Sequence, residues 1–299
     1  MSLKESAIHY MGNKWKLLPQ ILPLFPKGIR NFYDLFGGSG TVSLNAKAEK
    51  YFINDLSGHI YNLYNMFKSM TADDIIRYCR EMRDKWGFVS NETDRSKFVP
   101  VNREIYNRCR DWMNENPSTI GYYFLTFYSF CNQFRFNGKK FNISAGNGYY
   151  KEKSEFLIRQ MCEFFRGENV SLSNLEFDQF DFSDFDSERD FVYLDPPYSA
   201  CEGAVYNVRR EIAGWGEAED EKLFAFCESL NSKGLKFAMS NVFLNKGYKN
   251  VPLQEWCEKN GYAVHHLDTR YGSHSKETAE METDEVLVCN YKSLSNRLF

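Results

Sequence analysis

The sequence predicts an α/β fold in which a parallel sheet is interrupted by a long helical insertion. Three observations lead to this prediction: a strand-turn-helix-strand pattern covers residues 30–55, helical patterns dominate from about 57 to 165, and strand patterns return after that. A strand, a helix and a second strand in succession are typical of a parallel sheet, because parallel neighbours need a crossover connection. We therefore expect the first unit and the later strands to share one sheet.

The N-terminal unit consists of four short segments. Residues 30–36 have a strand pattern, GGSG at 37–40 is a turn, residues 41–50 fit a helix, and residues 51–55 fit a second strand. The glycine turn therefore lies between the end of a strand and the start of a helix.

The insertion is predicted to contain helices and one exposed basic segment. The helical candidates are, in order, DDIIRYCREMRDKW, VNREIYNRCRDWMNE and TIGYYFLTFYSFCNQF. A basic stretch rich in Gly and Asn follows at 135–151, with Asn-Gly pairs at 137–138 and 147–148. Because Asn-Gly is a strong turn signal, we expect a hairpin or an exposed loop there.

Strand patterns resume beyond the insertion. One clear helix is predicted among them over 219–234, where it ends at a glycine as helices often do. The later strands are predicted at 169–174, 191–195, 236–241, 262–268 and 285–291.

Size and composition are those of an ordered globular protein. The chain has 299 residues, of which 43% are hydrophobic, 26% charged and 17% aromatic. We expect no signal peptide, and no apolar run approaches the ~18 residues of a membrane span. The eight cysteines form no C-x-x-C pair, so we expect no zinc ribbon and no other metal site. The expected protein is cytoplasmic, with reduced cysteines.

Charge is unevenly distributed along the chain. The net charge is −3, yet residues 121–160 hold six basic and two acidic side chains, whereas residues 175–188 hold six acidic side chains and no basic one. A local basic patch on an acidic protein is compatible with a polyanion-binding surface, and equally with a solvated face.

The segment DLFGGSG, residues 34–40, has the pattern of a ligand-binding turn. Glycines let the backbone approach a ligand closely, and a helix N-terminus attracts a carboxylate or phosphate. Asp55 follows Asp34 by 21 residues, where an acidic residue accepts hydrogen bonds from ribose hydroxyls in doubly wound folds. The turn lacks both the third glycine of dinucleotide folds and the Gly-Lys-Thr of a phosphate loop. A nucleoside without a phosphate chain fits best, and a plain tight turn is the alternative.

The segment FVYLDPPYSA runs from an apolar strand into Asp195, Pro196, Pro197 and Tyr198. Each proline fixes φ and removes a donor, so the Pro196 carbonyl is held in one direction. Asp195 adds a second acceptor, and two neighbouring acceptors suit an NH₂ group with two hydrogens to give. Tyr198 offers a flat face on which a planar ring could stack. A strand-ending turn without a ligand is the alternative.

Such a pair of acceptors matches the chemistry of an exocyclic amine like that of adenine. The lone pair of this nitrogen is delocalised into the ring, which makes the amine a poor nucleophile. Two fixed acceptors on its hydrogens localise the lone pair, and they gain most as positive charge develops on the nitrogen. A ligand with an activated methyl group at the glycine turn would complete an in-line transfer.

The segments and their order resemble the Dam-type adenine-N6 DNA methyltransferases (D12 class, alpha group), with phage Dam enzymes as the nearest likeness. The resemblance covers nearly the whole chain and rests, in order, on AIHYMGNKWKLLPQI, DLFGGSGTVSLN, IND, YSFCNQFRFNGKKFNIS, VYLDPPY, KFAMSNV and ETDEVLVCNY. It implies a Rossmann-like S-adenosylmethionine-dependent methyltransferase sheet with an inserted helical target-recognition domain carrying a basic hairpin. The catalytic, cofactor-binding domain would comprise residues 1–56 plus 166–299, and the DNA target-recognition domain residues 57–165.

The resemblance also implies roles for single residues. Tyr10 and Lys14 would line the methionine end of the cofactor, and Phe177 would pack on its adenine. The catalytic residues would be Asp195, Pro196, Pro197 and Tyr198. The residues binding S-adenosylmethionine would be Tyr10, Lys14, Asp34, Phe36, Gly38, Gly40, Asp55 and Phe177.

For DNA, the resemblance implies a recognition segment within the basic stretch. Phe130 would wedge where the flipped base leaves the stack, and Arg135 would read a guanine, a pairing that Arg makes bidentately in the major groove. The nucleic-acid contacts would be Phe130, Cys131, Asn132, Arg135, Asn137, Lys139 and Lys140.

The function expected from the sequence is site-specific adenine-N6 methylation of double-stranded DNA, in a monomer that flips the target adenine and possesses no metal. GATC is the expected site and restriction-modification an expected context, but the chain departs from GATC-reading members by having Ala145 where they have a proline. Methylation of cytosine N4 or of RNA, and a non-catalytic DNA-binding protein, are the open alternatives. A nicotinamide oxidoreductase is disfavoured by the missing third glycine.

Overall fold

A computed structural model gives the fold of this chain. It describes residues 2–10, 12–89, 95–182, 185–199, 215–245, 247–268 and 283–292, with the backbone alone for 95–98. All predicted site residues lie within these ranges, whereas Cys201, one of the eight cysteines, lies outside them.

The described elements are ten strands and nine α-helices. The strands are β1 (Ile29–Asp34), β2 (Ala48–Asn54), β3 (Phe136–Asn137), β4 (Lys140–Phe141), β5 (Val170–Ser173), β6 (Phe191–Leu194), β7 (Lys236–Asn245), β8 (Tyr248–Lys249), β9 (Ala263–Leu267) and β10 (Thr283–Cys289). The helices are α1 (Leu18–Ile21), α2 (Thr41–Asn45), α3 (Gly58–Ser69), α4 (Ala72–Trp86), α5 (Arg95–Glu115), α6 (Thr119–Thr126), α7 (Glu152–Phe165), α8 (Glu217–Ser232) and α9 (Val251–Asn260). None of the helices described is both long and apolar enough to cross a bilayer.

Eight of the described strands form one sheet, in the order β5-β2-β1-β6-β7-β10-β9, with β8 paired to β7. Pairing is parallel from β5 through to β7, and β10 runs antiparallel to both β7 and β9. The predicted α/β sheet is confirmed, but it is mixed rather than parallel throughout. An antiparallel neighbour needs no helical crossover, so the strand pattern alone did not reveal the direction of β10.

The helix after the glycine turn is shorter than predicted. The sequence predicts a helix over 41–50, but α2 ends at Asn45 and β2 begins at Ala48. Ala48 is in register with Ile29 of β1, so the ladder between the two strands extends into the segment expected to be helical. Tertiary pairing here overrides the helical propensity of an Ala/Lys/Glu-rich segment.

Helices α3 to α7 lie between β2 and β5 in the chain. The helices predicted over 73–86 and 101–115 are confirmed as parts of α4 and α5. The start of α4 is capped by Thr71, whose side-chain oxygen accepts the Asp74 N–H, and Gly87 ends the helix in the left-handed conformation.

The third helix of the insertion is shorter than its prediction over 119–134, because α6 ends at Thr126. The Phe130 N–H donates to the Ser144 carbonyl at 2.8 Å, so the backbone beyond α6 pairs with the segment after the hairpin instead of continuing the helix. Two short strands, β3 and β4, pair antiparallel across Gly138, which has φ +60°.

Two features of the C-terminal half were absent from the sequence analysis. Strand β7 continues to Asn245, beyond the predicted 236–241, because β10 pairs with it from Ala238 to Asn245. Helix α9 was not predicted, although its signals are present: Asn250 caps the first turn, Pro252 follows, and Gly261 ends the helix with φ +65°.

A buried ion pair joins the start of β6 to β1. Asp190 is buried and accepts two hydrogen bonds from the Arg30 guanidinium, at 2.8 and 2.9 Å, and one from Asn31 Nδ2 at 3.0 Å. Burial acts to raise the pKa of Asp190, but these donors outweigh it, and the pKa lies below its usual value.

We expect Asp190→Ala to lower the free energy of unfolding by about 2–3 kcal/mol, less than for a pair buried on both sides because Arg30 is partly exposed. A lowered pKa stabilises the fold above the usual Asp pKa, so the difference from wild type should shrink as pH falls below about 4. Urea unfolding at pH 7 and pH 3 measures both effects. Asp111→Ala, which breaks an exposed pair with Arg110, is the control with an expected change under about 0.5 kcal/mol. Equal stability of Asp190→Ala and wild type would contradict the role of the pair.

Candidate active site

The carboxyl ends of β1 and β6 lie side by side and bring the two predicted motifs together. Asp34 is in register with Tyr193, two residues before Asp195. The Leu35 N–H donates to the Tyr193 carbonyl at 3.2 Å, so the pairing continues into the glycine turn. In open α/β sheets, ligands bind in the crevice outside such strand ends. The glycine turn and the Asp-Pro-Pro-Tyr turn therefore face one crevice.

The glycine turn is shaped by left-handed backbone. Gly38 has φ +51° and Gly40 has φ +69°, values that a side chain would strain. The Tyr64 hydroxyl donates to the Gly38 carbonyl at 2.7 Å from the neighbouring helix α3. A methyl group on Gly38 would lie 3.4 Å from a ring carbon of Tyr10, so the Tyr10 ring packs against the turn.

Asp34, the last residue of β1, holds a buried carboxylate at the base of the turn. The Ser43 hydroxyl donates to Oδ2 at 2.5 Å, while Oδ1 is buried without a hydrogen-bond partner in the described part of the chain. Burial raises the pKa of Asp34 to about 7, and the nearby charges of Asp195 and Asp55 add to the rise. A buried carboxylate oxygen without a donor is destabilising, so a cationic ligand group would gain most at this oxygen.

Asp55 follows β2 and is attached directly to the glycine turn. Its Oδ2 accepts the Gly38 N–H at 2.8 Å, and its Oδ1 accepts the Ser57 N–H at 2.8 Å. Burial raises the pKa of Asp55 to about 6, although the hydrogen bonds from Ser57 and Gly38 act to lower it. Each carboxylate oxygen can accept a second hydrogen bond, so the predicted ribose-binding acid retains acceptor capacity.

Asp195 lies in an asymmetric set of contacts. Lys14 Nζ is 2.9 Å from Oδ1, and the Tyr198 hydroxyl donates to the same oxygen at 3.1 Å. Both side chains of the ion pair are sheltered, with 5% of Lys14 and 18% of Asp195 exposed. Burial raises the pKa of Asp195, while Lys14 opposes the rise. Among the described residues, Oδ2 is left available, next to the buried Pro196.

An aromatic wall stands at the same edge of the sheet. The rings of Phe36 and Phe177 are 5.4 Å apart between centroids, and Trp215 packs on both, at 5.7 and 6.0 Å. Lys222 Nζ lies 5.2 Å from the Phe177 centroid. Phe36 and Phe177, both named by the resemblance as cofactor-binding residues, are thus neighbours, whereas sequence reasoning missed Trp215.

The recognition segment presents an exposed tip. The Phe130 side chain is 56% exposed, and Cys131 beside it is exposed too. Cys131 and Asn132 have φ of +53° and +54°, a backbone conformation that non-glycine residues seldom adopt. The tip is held from behind, because the Gly146 N–H donates to the Tyr128 carbonyl at 2.8 Å.

The β3–β4 hairpin follows this tip and places the predicted polar contacts on the surface. Asn137, Lys139 and Lys140 are exposed, and Arg135 is half-buried. His59 from α3 stacks on Phe136, with ring centroids 3.6 Å apart and planes within 4°. The hairpin is thereby attached to the helix that follows Asp55.

The recognition segment also contacts the N-terminal segment that carries Tyr10 and Lys14. The Phe134 N–H donates to the His9 carbonyl at 3.2 Å. A cavity of about 140 Å³ adjoins this contact and is lined by, among others, His9, Asn132, Lys151 and Lys153. This cavity is separate from the crevice at the strand ends.

Glu285 is a titratable residue near the site that sequence reasoning placed only in a strand. It lies at a register shift in the β7–β10 ladder, and such bulges re-aim side chains. Burial raises the pKa of Glu285, Lys14 opposes the rise, and Asp195 adds to it, so its carboxyl shares the field of the Lys14–Asp195 pair. Only the strand order, which the sequence did not predict, places it there. The described ranges contain no cluster of three His, Cys, Asp or Glu side chains able to hold a metal ion.

Comparison with known proteins gives one consistent family. The family of D12 class N6 adenine-specific DNA methyltransferases matches residues 10–272. The chain is 33% identical to modification methylase StsI of Streptococcus sanguinis over 97% of this chain and 43% of that protein. It is also 33% identical to type II methyltransferase M.FokI of Planomicrobium okeanokoites, over 96% of this chain and 43% of that protein. It is 22% identical to DNA adenine methylase of Salmonella typhi, over 96% of this chain and 96% of that enzyme.

The chain thus spans less than half of the StsI and M.FokI proteins but nearly all of the Salmonella enzyme. Among solved structures, the methyltransferase subunit of a type I restriction-modification system from Streptococcus thermophilus matches 95% of this chain and 45% of its own, at 14% identity and a TM-score of 0.36, too low to support an argument. The family match covers most of the chain, from Tyr10 past the Asp-Pro-Pro-Tyr turn. This chain belongs to the D12 class of N6 adenine-specific DNA methyltransferases.

Proposed function

We propose that this chain transfers a methyl group from S-adenosylmethionine to the N6 amino group of an adenine flipped out of double-stranded DNA. One observation carries the proposal: a carboxylate with an available oxygen, Asp195, ends the strand next to the one that ends in Asp34 and the glycine turn. Membership of the D12 class supports the same reaction.

The residues at the glycine turn fit S-adenosylmethionine, which supplies a methyl group on positively charged sulfur. Asp34 Oδ1, which has no hydrogen-bond partner among the residues described, suits the ammonium group of its methionine part. Asp55 retains acceptor capacity for ribose hydroxyls, and the wall of Phe36 and Phe177 suits a purine ring. Tyr10, packed against Gly38, would cover the turn and exclude water.

At the other side of the crevice, the residues fit an amino group. Asp195 Oδ2 and the Pro196 carbonyl would accept its two hydrogens, and the Tyr198 ring would stack on the base. Lys14 and the Tyr198 hydroxyl hold Oδ1, which orients the carboxylate and favours its ionised form. An ionised Asp195 gains attraction as positive charge develops on N6, so it stabilises the transition state more than the bound substrate.

DNA binding would use the insertion, residues 57–165, as a target-recognition domain. The exposed Phe130 would enter the base stack, and the surface lysines Lys139 and Lys140 would contact phosphates. Arg135 would read a guanine. The hydrogen bond from the recognition segment to His9 connects this domain to the N-terminal segment that carries Tyr10 and Lys14, and the His59–Phe136 stack holds the hairpin on α3 within the domain.

The proposal is tested by the chemistry of the product. Duplex DNA incubated with the protein and S-adenosylmethionine is digested to nucleosides and analysed by mass spectrometry. We expect N6-methyladenine. N4-methylcytosine in its place, methylation of RNA in preference to DNA, or cofactor binding without any methylated nucleoside would each reject the proposal in favour of one of the open alternatives.

Replacement of Lys14 by glutamine should shift the pH dependence of methyl transfer. Without the ammonium, only the Tyr198 hydroxyl opposes the effect of burial on Asp195 and the pKa of Asp195 rises further, so the acidic limb of the kcat/KM profile should move to higher pH. At pH 6 the rate should fall more than at pH 8. A uniform loss at every pH would instead assign Lys14 to binding alone. Lys16→Gln, at an exposed position nearby, is the control.

Several finer assignments stay predictions. They are GATC as the recognition sequence, the alpha group with phage Dam enzymes as the nearest kin, a restriction-modification context, and a monomer in solution. Sequencing of methylated plasmid DNA from cells that express the chain would determine the recognition sequence.

A further inference from the structure

Asp220, in the first turn of α8, joins two parts of the proposed site that lie far apart in the sequence. Its side chain is buried, with 7% exposed, and both of its oxygens accept hydrogen bonds. The Ser199 hydroxyl donates to Oδ2, and the Trp215 indole N–H donates to Oδ1 at 2.7 Å. One carboxylate therefore holds two side chains that are 16 positions apart in the sequence.

The Ser199 contact leads to the catalytic turn. Ser199 directly follows Tyr198, whose hydroxyl donates to Asp195. Anchoring the residue after Tyr198 limits how far the tyrosine ring and its hydroxyl can move. Because a flat ring must lie parallel to a flipped base to stack on it, a small rotation of Tyr198 would weaken both the stacking and the hold on Asp195.

The Trp215 contact leads to the proposed cofactor pocket. The indole packs on Phe36 and Phe177, the two rings that form the aromatic wall. With its N–H fixed on Asp220, the indole cannot turn away from these rings. The same carboxylate thus supports the surface that the purine ring of the cofactor would contact.

Opposing effects act on the charge of the Asp220 side chain. Its backbone N–H donates to the Gly216 carbonyl at 3.0 Å, which places it at the N-terminus of α8, where the helix dipole stabilises negative charge. Burial raises its pKa and the charges of Glu219 and Glu217 add to the rise, while the bonds from Ser199 and Trp215 oppose it. A buried carboxylate is destabilising unless its donors are in place, so these contacts act together.

We propose that Asp220 is a positioning residue that fixes the Asp-Pro-Pro-Tyr turn and the aromatic wall relative to each other. This inference rests on the proposed function, since it assigns the two contacts to the methyl-accepting and cofactor-binding sides of that site. The two contacts can be tested separately, because the Ser199 hydroxyl and the Trp215 N–H can each be removed alone.

The test measures kcat for DNA methylation and, by calorimetry, the affinity for S-adenosylhomocysteine. Ser199→Ala should lower kcat by about 3- to 10-fold with unchanged affinity, the effect of one lost hydrogen bond. Trp215→Phe, which keeps a ring but loses the N–H, should weaken binding by about 3- to 10-fold with kcat within about twofold. Asp220→Ala should show both losses, and Asp220→Asn, whose amide can still meet both partners, should restore part of each.

Glu221→Gln is the matched control, on the same helical turn but exposed, with both constants expected within about twofold of wild type. The inference is overturned if Ser199→Ala and Trp215→Phe behave as wild type, or if Asp220→Ala lowers only Tm. If the wild-type protein binds S-adenosylhomocysteine but methylates no DNA, the proposed function is wrong. In that case the positioning role is tested by binding alone, and it is overturned if Trp215→Phe and Asp220→Ala bind S-adenosylhomocysteine as tightly as wild type.

Discussion

Asp195→Ala is expected to lower the rate of methyl transfer by at least about 10³-fold while the affinity for the cofactor stays within about threefold of wild type. The carboxylate is sheltered, held on Oδ1 by Lys14 and the Tyr198 hydroxyl, and available on Oδ2. Its removal takes away an acceptor that gains most as charge develops on N6, and leaves Lys14 without its partner. Single-turnover methylation of a duplex and calorimetry with S-adenosylhomocysteine measure the two quantities.

Two further variants make this result specific to the carboxylate. Tyr198→Phe keeps the ring and loses only the bond to Oδ1, so its rate should fall by about 3- to 10-fold. Asp111→Ala, an exposed carboxylate on α5, should leave the rate unchanged. An Asp195→Ala protein that retains a tenth or more of the wild-type rate would exclude the proposed role of Asp195.

Asp34→Asn is expected to weaken cofactor binding by roughly 10- to 100-fold and yet to stabilise the free protein. The buried Oδ1 of Asp34 has no donor in the described part of the chain, which suits a ligand ammonium but destabilises the unliganded fold. An asparagine keeps an oxygen for the Ser43 hydroxyl and introduces no buried charge. Calorimetry and thermal unfolding of the free protein measure the two opposite effects.

The raised pKa of Asp34 determines how the stability difference between Asp34→Asn and wild type changes with pH. The pKa of Asp34 is about 7 in the folded protein and about 3.8 in the unfolded chain. Between these two pH values the folded protein therefore keeps a proton on Asp34 that the unfolded chain has released. Wild-type stability is therefore lost as pH rises from about 4 to about 7. The gain in Tm of Asp34→Asn should be small at pH 4, grow toward pH 7 and stay constant above it. Ser43→Ala, which removes the hydroxyl donor to Asp34 Oδ2, should lower Tm at pH 8, and a Tm gain for that variant would contradict the assignment.

The positions of the two motifs could be read from the sequence, because their chemistry depends on residue types at fixed spacing. DLFGGSG was placed between a strand and a helix, and Asp55 at the end of the next strand, as the structure has them. Their meeting with Asp195 follows from β1 lying between β2 and β6, an order that local patterns do not determine.

What the sequence could not predict depends on contacts between distant segments. Ala48 joins β2 only because Ile29 pairs with it, and β7 extends to Asn245 only because β10 lies alongside. Trp215 and Asp220 belong to no motif, and Glu285 lies in the segment ETDEVLVCNY without a predicted site role. Their closeness to the site therefore emerges only from the sheet order and from the packing of α8. Lys14 was expected at the cofactor, and the distance of 2.9 Å to Asp195 additionally links it to the catalytic turn.

The most direct test of the central claim is a crystal structure of the protein with S-adenosylhomocysteine and a duplex that contains its recognition site. The account predicts a flipped adenine whose N6 lies within about 3.2 Å of both Asp195 Oδ2 and the Pro196 carbonyl. It also predicts the sulfur of the cofactor on the third side of that nitrogen. An N6 bonded elsewhere, or a cofactor bound away from Asp34 and Asp55, would contradict it.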